Sequence, residues 1–297
     1  MELQIKSLSA TASVTEKQAY YQSTAAVLHS AFEEDPVWNW LLQDVSPEVL
    51  KRGGRLWSWE AAVATTTRIT HPSLGKLLAV KGSTYEPVGA QIWWPPGEEM
   101  SLLDLLRSGF LTVSFRFGCK TFFRFVRTIG AIQEIHHRVM GDQPHCYLGF
   151  LGAHQSFQGT GVGSKMLSYA LGPIDAANLP CYLENSNPKN LRFYERFGFK
   201  MVEEYRPDGN GPVIYIMVRP PKDETASRAS LVPLEPFAGD VDLIPHQREL
   251  AAELIHASVE YQHRPKSRIF NMLNLWILLF LLALIGFYSS IRSEFQA

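Results

Sequence analysis

Cysteine is scarce in this chain, and neither sign of charge is in surplus. The three cysteines, Cys119, Cys146 and Cys181, form no C-x-x-C pair, which argues against a disulfide framework or a cysteine zinc site. That suits a reducing compartment, with Cys146 and Cys181 as inert buried thiols in core strands. Lys and Arg number 28 against 29 Asp and Glu, a formal net charge of −1, so no basic field marks a nucleic-acid partner. H-E-x-x-H does not occur, and His136, His137 and His154 match no metal spacing, so no metal is expected. The first residues, Met1-Glu2-Leu3-Gln4-Ile5-Lys6, lack the apolar run of a secretory signal. No internal repeat is present. The length of 297 residues allows one large domain with additions, or two small domains.

What the chain does have is a glycine-rich turn, Gln158-Gly159-Thr160-Gly161-Val162-Gly163, between an apolar segment at 146–153 and a helix-like segment starting at Ser164. A strand, a glycine turn and a helix in that order aim unpaired backbone N–H groups at one spot, at the positive end of a helix dipole. That geometry binds an anion, most often phosphate, and glycine removes the Cβ that would block the approach. The Walker A spacing fails, because Ser164-Lys165 is inverted and no glycine directly precedes the lysine. The dinucleotide fingerprint also fails, because the spacing here is G-x-G-x-G and the turn lies past mid-chain.

Downstream come Cys181-Tyr182-Leu183-Glu184-Asn185, then Ser186-Asn187-Pro188, then Leu191-Arg192-Phe193-Tyr194-Glu195-Arg196-Phe197-Gly198-Phe199. The order reads as strand, polar turn, short helix and strand. Ser186 or Asn187 is the N-cap, Pro188 lies in the first turn and Gly198 is the C-terminal stop. Over residues 145–219 the chain resembles the GNAT superfamily of N-acetyltransferases. Gln158 to Gly163 is similar to that family's Q/R-x-x-G-x-G/A pyrophosphate loop, and the Ser186 to Phe199 stretch to its second half-site. Within the superfamily the latter resembles puromycin N-acetyltransferase-like enzymes, without implying that acceptor.

The resemblance implies an α/β fold: a mixed, mostly antiparallel twisted sheet with splayed central strands, flanked by helices. Acetyl-CoA would be the cosubstrate, lying where strand 146–153 parts from strand 180–185. Backbone groups of Leu151, Gly152 and Ala153 would meet the pantetheine amides, and one N–H would hold the thioester oxygen. The amides of Gln158, Gly159, Thr160, Gly161, Val162, Gly163 and Ser164 would hold the pyrophosphate, and Asn187 would touch the carrier. A free amine would attack directly in a ternary complex. The amine must lose a proton, since a simple alkylammonium has a pKa near ~10, while the departing thiolate gains one. By resemblance Tyr194 donates that proton; its alternative is a core tyrosine with its hydroxyl on the backbone. Glu184, beside the gap, is either the base or a structural ion-pair partner. Glu33, Glu34 and Asp35 either attract a cationic amine or cap the next helix. The acceptor is read as a small-molecule primary amine. The alternatives are a protein or peptide N-acetyltransferase, or a catalytically idle CoA-binding module.

Elsewhere, periodicity predicts a strand over 3–8, and a helix over 15–32 capped by Thr15. Further helices are expected over 37–42 and 56–69, and strands over 76–81 and 88–94 joined as a hairpin. Helices over 101–139 are expected to break near Gly118 and Gly130, and strands over 200–205 and 213–218 to close the domain. Arg116, Lys120, Arg124 and Arg127 repeat at helical spacing between phenylalanines. They read as a solvated face or, more sharply, as a membrane-facing lid. The domain is expected over 1–220, a linker over 221–246 and an amphipathic helix over 247–262. A transmembrane helix is expected over 269–290, because no charged residue lies from Ile269 to Ile291. Arg264, Lys266 and Arg268 precede it, which predicts a single-pass tail anchor in the lipid bilayer with the catalytic domain facing the cytoplasm.

Overall fold

The computed structural model describes residues 3–9, 11–54, 59–60, 63, 76–81, 86–98, 112–223 and 243–263. Within them the strands are β1 (Leu3–Ser7), β2 (Lys76–Lys81), β3 (Glu86–Trp94), β4 (Cys146–Ala153), β5 (Cys181–Asn185), β6 (Lys200–Tyr205) and β7 (Ile214–Arg219). They form one sheet in the order β1-β2-β3-β4-β5-β7-β6. Every pairing is antiparallel except that of β4 with β5. The main helices are α1 (Val14–Ala31), α2 (Pro36–Leu41), α3 (Thr112–Phe117), α4 (Cys119–Met140), α5 (Val162–Ala176), α6 (Leu191–Glu195) and α7 (Pro245–His263), with short helical turns at Pro47–Val49 and Leu50–Gly54. This is a GNAT-type α/β architecture, an open mixed sheet flanked by helices.

Strand alternation sends successive side chains to opposite faces. One face buries Cys146, Leu148, Cys181 and Leu183 under Val162, Met166, Leu167, Ala170 and Ile174 of α5. On the other face, Leu78, Val80, Ala90 and Ile92 lie under Ala25, Val27 and Leu28 of α1. Ile135 and Met140 of α4 cover Tyr182, Ile214 and Ile216.

Several expectations shift by local chemistry. Ser13, not Thr15, caps α1: its Oγ accepts from Glu16 N–H at 3.2 Å, and Glu16 Oε2 accepts from Ser13 N–H at 2.8 Å. Glu16 falls three residues after Ser13, the spacing a reciprocal capping box requires. The break at Gly118 is present, with φ +85°, but α4 runs on through Gly130. The continuous buried face of Phe122, Phe125, Val126, Ile135 and Met140 offsets the ~1 kcal/mol that a helical glycine costs. Most of the expected 56–69 helix, the 82–85 turn, residues 99–111 and most of the 221–246 linker lie outside the described residues.

The basic stripe on α4 is largely neutralised within the chain. Lys120 Nζ lies 2.9 Å from Asp44 Oδ1, Arg124 binds the other oxygen of Asp44, and Arg127 pairs with Asp208. Arg124 also donates to the Leu41 carbonyl at 3.1 Å. Lys120 and Arg124 tie α4 to the end of α2 and the segment after it, Arg127 ties it to the turn after β6, and the membrane-facing lid loses its main support.

Helix α7 belongs to the same core. Leu250 and Leu254 are buried in the cluster under α5, Gln247 Nε2 donates to the Tyr169 carbonyl at 2.9 Å, and His246 Nε2 lies 3.2 Å from Ser7 Oγ. No helix among the described residues is long and apolar enough to cross a membrane, and the expected span at 269–290 lies outside them. Leu254→Ala should therefore lower stability in urea unfolding by about 2–4 kcal/mol. An unchanged midpoint would mean that α7 does not pack on the domain.

Candidate active site

The site begins where two strands part. β4 and β5 pair only at Cys146↔Cys181, Tyr147↔Tyr182 and Leu148↔Leu183. Beyond that point β4 stays with β3 through Ala153, while β5 stays with β7 through Asn185. The fork opens at Gly149, the extra residue of a β-bulge between the pairs Trp93↔Leu148 and Ile92↔Phe150. A bulge bends its strand and re-aims the residues beyond it. Glycine is required here, because a Cβ would fall 1.8 Å from the Trp94 ring.

Leu151, Gly152 and Ala153 line the β4 side of the fork, paired to Gln91, Ala90 and Gly89 on their other edge. Gly152 has a second duty, since a Cβ there would sit 2.6 Å from that of Ala31 at the end of α1. Gln158 Nε2 donates to the Ala153 carbonyl at 3.4 Å.

The glycine turn comes next, with Gly159 at φ +74° and Gly161 at φ +88°. Both angles are in the left-handed region that favours glycine. The turn uses two of its own amides: Gln158 N–H donates to the Gln155 carbonyl at 3.3 Å, and Thr160 N–H to that of Phe157 at 3.4 Å. These two amides already have partners within the turn. No described backbone carbonyl accepts from Gly159, Gly161, Val162, Gly163 or Ser164, and Lys165 N–H makes the first intrahelical bond of α5, to Gly161. Such a cluster at a helix N-terminus fits a diphosphate. Acetyl-CoA would supply the activated acetyl group there.

Across the fork, Asn187 is the cap expected of Ser186 or Asn187. Its Oδ1 accepts from Lys189 N–H at 3.1 Å, with Pro188 in first position of the 3₁₀ turn Pro188–Asn190. Ser186 instead donates its hydroxyl to Asp35. Asp35 is buried and caps α2, accepting from Trp38 N–H at 2.8 Å, while Glu33 and Glu34 are exposed. Burial raises the Asp35 carboxyl above its ordinary value, against the lowering effect of Ser186. Capping thus accounts for Asp35.

Tyr194 on α6 is buried on the α5 side, beside Phe193 and Phe199. Burial pushes its hydroxyl well above the ordinary value, so it stays protonated at neutral pH. No described residue hydrogen-bonds that hydroxyl. Glu184 lies on the opposite face with Tyr182. Its Oε2 accepts from the Tyr147 hydroxyl at 2.7 Å, and no cation pairs with it among the described residues. Burial drives the Glu184 carboxyl from 4.5 up to about 7, opposed by the Tyr147 hydrogen bond. Sequence reasoning missed Tyr147: alternation puts it on the Glu184 face, but only the parallel register brings the two together. Among the described residues, no group of three or more His, Cys, Asp or Glu side chains is disposed to hold a metal.

Comparison with known proteins agrees with this geometry. Residues 118–199 match the family model for the acetyltransferase (GNAT) family. The chain is similar to an uncharacterized N-acetyltransferase of Schizosaccharomyces pombe, 26% identical over 219 residues that cover 72% of this chain and 85% of that protein. A crystal structure described as histone acetyltransferase HPA2 and related acetyltransferase, from Corynebacterium glutamicum, shares the fold. Its TM-score is 0.50 at 22% identity, covering 76% of this chain and 99% of that one. Family model and relative both point to acetyl transfer. The protein is an acetyl-CoA-dependent N-acetyltransferase.

The raised Glu184 carboxyl fixes a pH dependence of stability. The folded chain holds a proton that the unfolded chain releases near 4.5, so this group costs stability as pH rises from about 4.5 to about 7. The loss is at most about 3 kcal/mol. Glu184→Gln should flatten that slope and gain relative to the native chain at pH 8, as read by urea unfolding at pH 5 and 8. Parallel pH profiles for the two proteins would contradict the burial of the carboxyl.

Proposed function

We propose that the protein moves acetyl from acetyl-CoA to a primary amine of a small molecule, by direct attack in a ternary complex. Gly159, Gly161, Val162, Gly163 and Ser164 would grip the diphosphate through their unpaired amides. Leu151, Gly152 and Ala153 would meet the pantetheine along the open edge of β4, and Asn187 would offer its side-chain N–H, since its oxygen already serves as a cap. Glu184 would take the amine proton, and Tyr194 would give one to the departing thiolate. A base titrating near neutrality suits that task, and so does an acid that is fully protonated there.

The observation that carries the small-molecule reading is the roof on the Glu184 face. Trp38 stacks on Trp59 at 4.2 Å, and Phe125 and Phe150 close edge-on at 5.8 and 5.2 Å. The Asp35–Ser186 contact bridges from this roof to the end of β5. Such an approach favours a compact, partly apolar amine over a polypeptide. The Leu183-Glu184-Asn185-Ser186 and Phe193-Tyr194-Glu195-Arg196 runs support a likeness to puromycin N-acetyltransferase-like enzymes. The uncharged run from Ile269 to Ile291, after Arg264, Lys266 and Arg268, supports a membrane-spanning helix with this domain on the cytoplasmic side. The full chain should float with liposomes and a chain ending at residue 263 should not; equal flotation would remove the anchor.

An acceptor screen with the full chain in detergent tests the chemistry, comparing small amines with peptides. Tyr194→Phe should bind CoA with unchanged affinity by calorimetry and lose about 10²-fold or more in kcat. Turnover of peptides alone would select the peptide reading, and CoA binding without turnover the idle module. Undiminished turnover by Tyr194→Phe would remove the acid.

A further inference from the structure

Past the pair Leu148↔Leu183 no ladder joins β4 to β5, so the sheet itself does not set how far apart the two arms of the fork stand. One turn touches both arms. It is Phe32-Glu33-Glu34-Asp35, between α1 and α2. On the β4 arm, the Phe32 ring meets the Phe150 ring edge-on at 6.2 Å, and its Cε2 lies 3.2 Å from where a Cβ on Gly152 would be. Two residues earlier, Ser30 Oγ accepts from Gln155 N–H at 3.1 Å, just past the end of β4. On the β5 arm, Asp35 accepts from the Ser186 hydroxyl. Ser186 is itself held between two bonded neighbours: Asn185 Oδ1 accepts from Asn187 N–H at 3.2 Å, and Asn185 Nδ2 donates to the Asn187 carbonyl at 2.8 Å.

The turn is stiff. Asp35 N–H donates to the Phe32 carbonyl at 3.1 Å, and a turn closed in this way keeps its first and fourth Cα atoms within about 7 Å. A helix grips each end. Phe32 caps α1, its N–H bonded to the Leu28 carbonyl at 3.0 Å, and Asp35 caps α2, its Oδ1 accepting from Trp38 N–H at 2.8 Å. Capping uses one oxygen of the Asp35 carboxylate, and Ser186 binds the other. Asp35 is buried, and a hydroxyl bonded to a carboxylate out of water makes a strong contact.

We propose that this turn is a spacer that fixes the width of the fork, with Asp35 and Ser186 as positioning residues for acetyl-CoA. The proposal rests on the reading of the fork as the cosubstrate site. In that reading Leu151, Gly152 and Ala153 meet the carrier from the β4 arm, and Asn187, directly after Ser186, meets it from the β5 arm. Both sets of contacts form together at one separation of the arms. A loose arm would have to be ordered each time the carrier binds, and that ordering subtracts from affinity. The spacer does the ordering in advance. The side chains of Asp35 and Ser186 act through the arms and not on the carrier.

Calorimetry with CoA on the full chain in detergent tests the spacer. Asp35→Ser keeps a good N-cap residue for α2 and withdraws the oxygen that Ser186 binds. Ser186→Ala removes the donor from the other side. Each should weaken CoA binding roughly tenfold, with a melting temperature near native. The double variant should be no weaker than the weaker single one, because both changes cut the same contact. Ser186→Thr, which keeps the hydroxyl, should bind as the native chain does. Native affinity in Asp35→Ser or Ser186→Ala, losses that add in the double variant, or a loss that Ser186→Thr shares would overturn the spacer. A native chain that gives no heat with CoA would instead remove the fork as the cosubstrate site, and the role of the spacer with it.

Discussion

Three residues of parallel pairing between β4 and β5, and no more, are the constraint on which the site depends. Had the two strands stayed paired to their ends, Leu151 to Ala153 would have spent their outward backbone groups on a neighbouring strand. Instead β4 keeps β3 and β5 keeps β7, and the sheet divides in its middle. The bulge at Gly149 starts the division, and the Trp94 ring occupies the space that a side chain there would take. Trp94 also stacks on Tyr147 at 4.9 Å, so the element that enforces the fork also orients the hydroxyl that meets Glu184.

Elements outside the fork keep it in shape. Arg219 donates Nε to the Phe197 carbonyl at 2.7 Å and pairs with Asp175 of α5. That contact straps the turn after α6 to the helix that presents the glycine amides. Gly198, at φ +87°, ends α6 so that Phe199 returns to the core beside Tyr194. Ser186 and Asp35 join the end of β5 to α2, and Asp44 joins the same region to α4 through Lys120 and Arg124. Paired contacts of this kind are modest singly; here their effect is to fix the elements that border the reaction cleft.

Much of this was legible in the sequence because it is local. A glycine turn before a helix, a proline after an Asn cap, and a glycine after Phe-Tyr-Glu-Arg-Phe each declare their geometry within a few residues. What was not legible depended on register or on distant burial. Tyr147 and Glu184 meet only because Cys146 stands opposite Cys181. The continuity of α4 through Gly130 depends on a face covering Tyr182 and Ile216. The docking of α7 depends on where Leu250 and Leu254 find a groove beside α5. The basic stripe looked solvated because Asp44 and Asp208 are far from it in sequence. The internal contacts of the Gln158 and Thr160 amides were not legible either, because the 3₁₀ turn at Gln155–Phe157 gives no clear sequence signal of its own.

The division of the sheet also separates the two buried groups to which the proposal gives the proton movements. Tyr194 belongs to the face covered by α5, and Glu184 to the face covered by α1 and α4. Under the proposed roles, the amine loses its proton on one side of the sheet and the thiolate gains one on the other, with the fork as the passage between them. Both groups are raised by burial, yet the consequences differ because their ordinary values differ. The same physical cause leaves a phenol locked in its protonated form and moves a carboxyl to the middle of the neutral range. Under the proposed roles, two side chains on opposite faces take opposite parts in one reaction, set apart by the acidity that each residue type brings to a buried position.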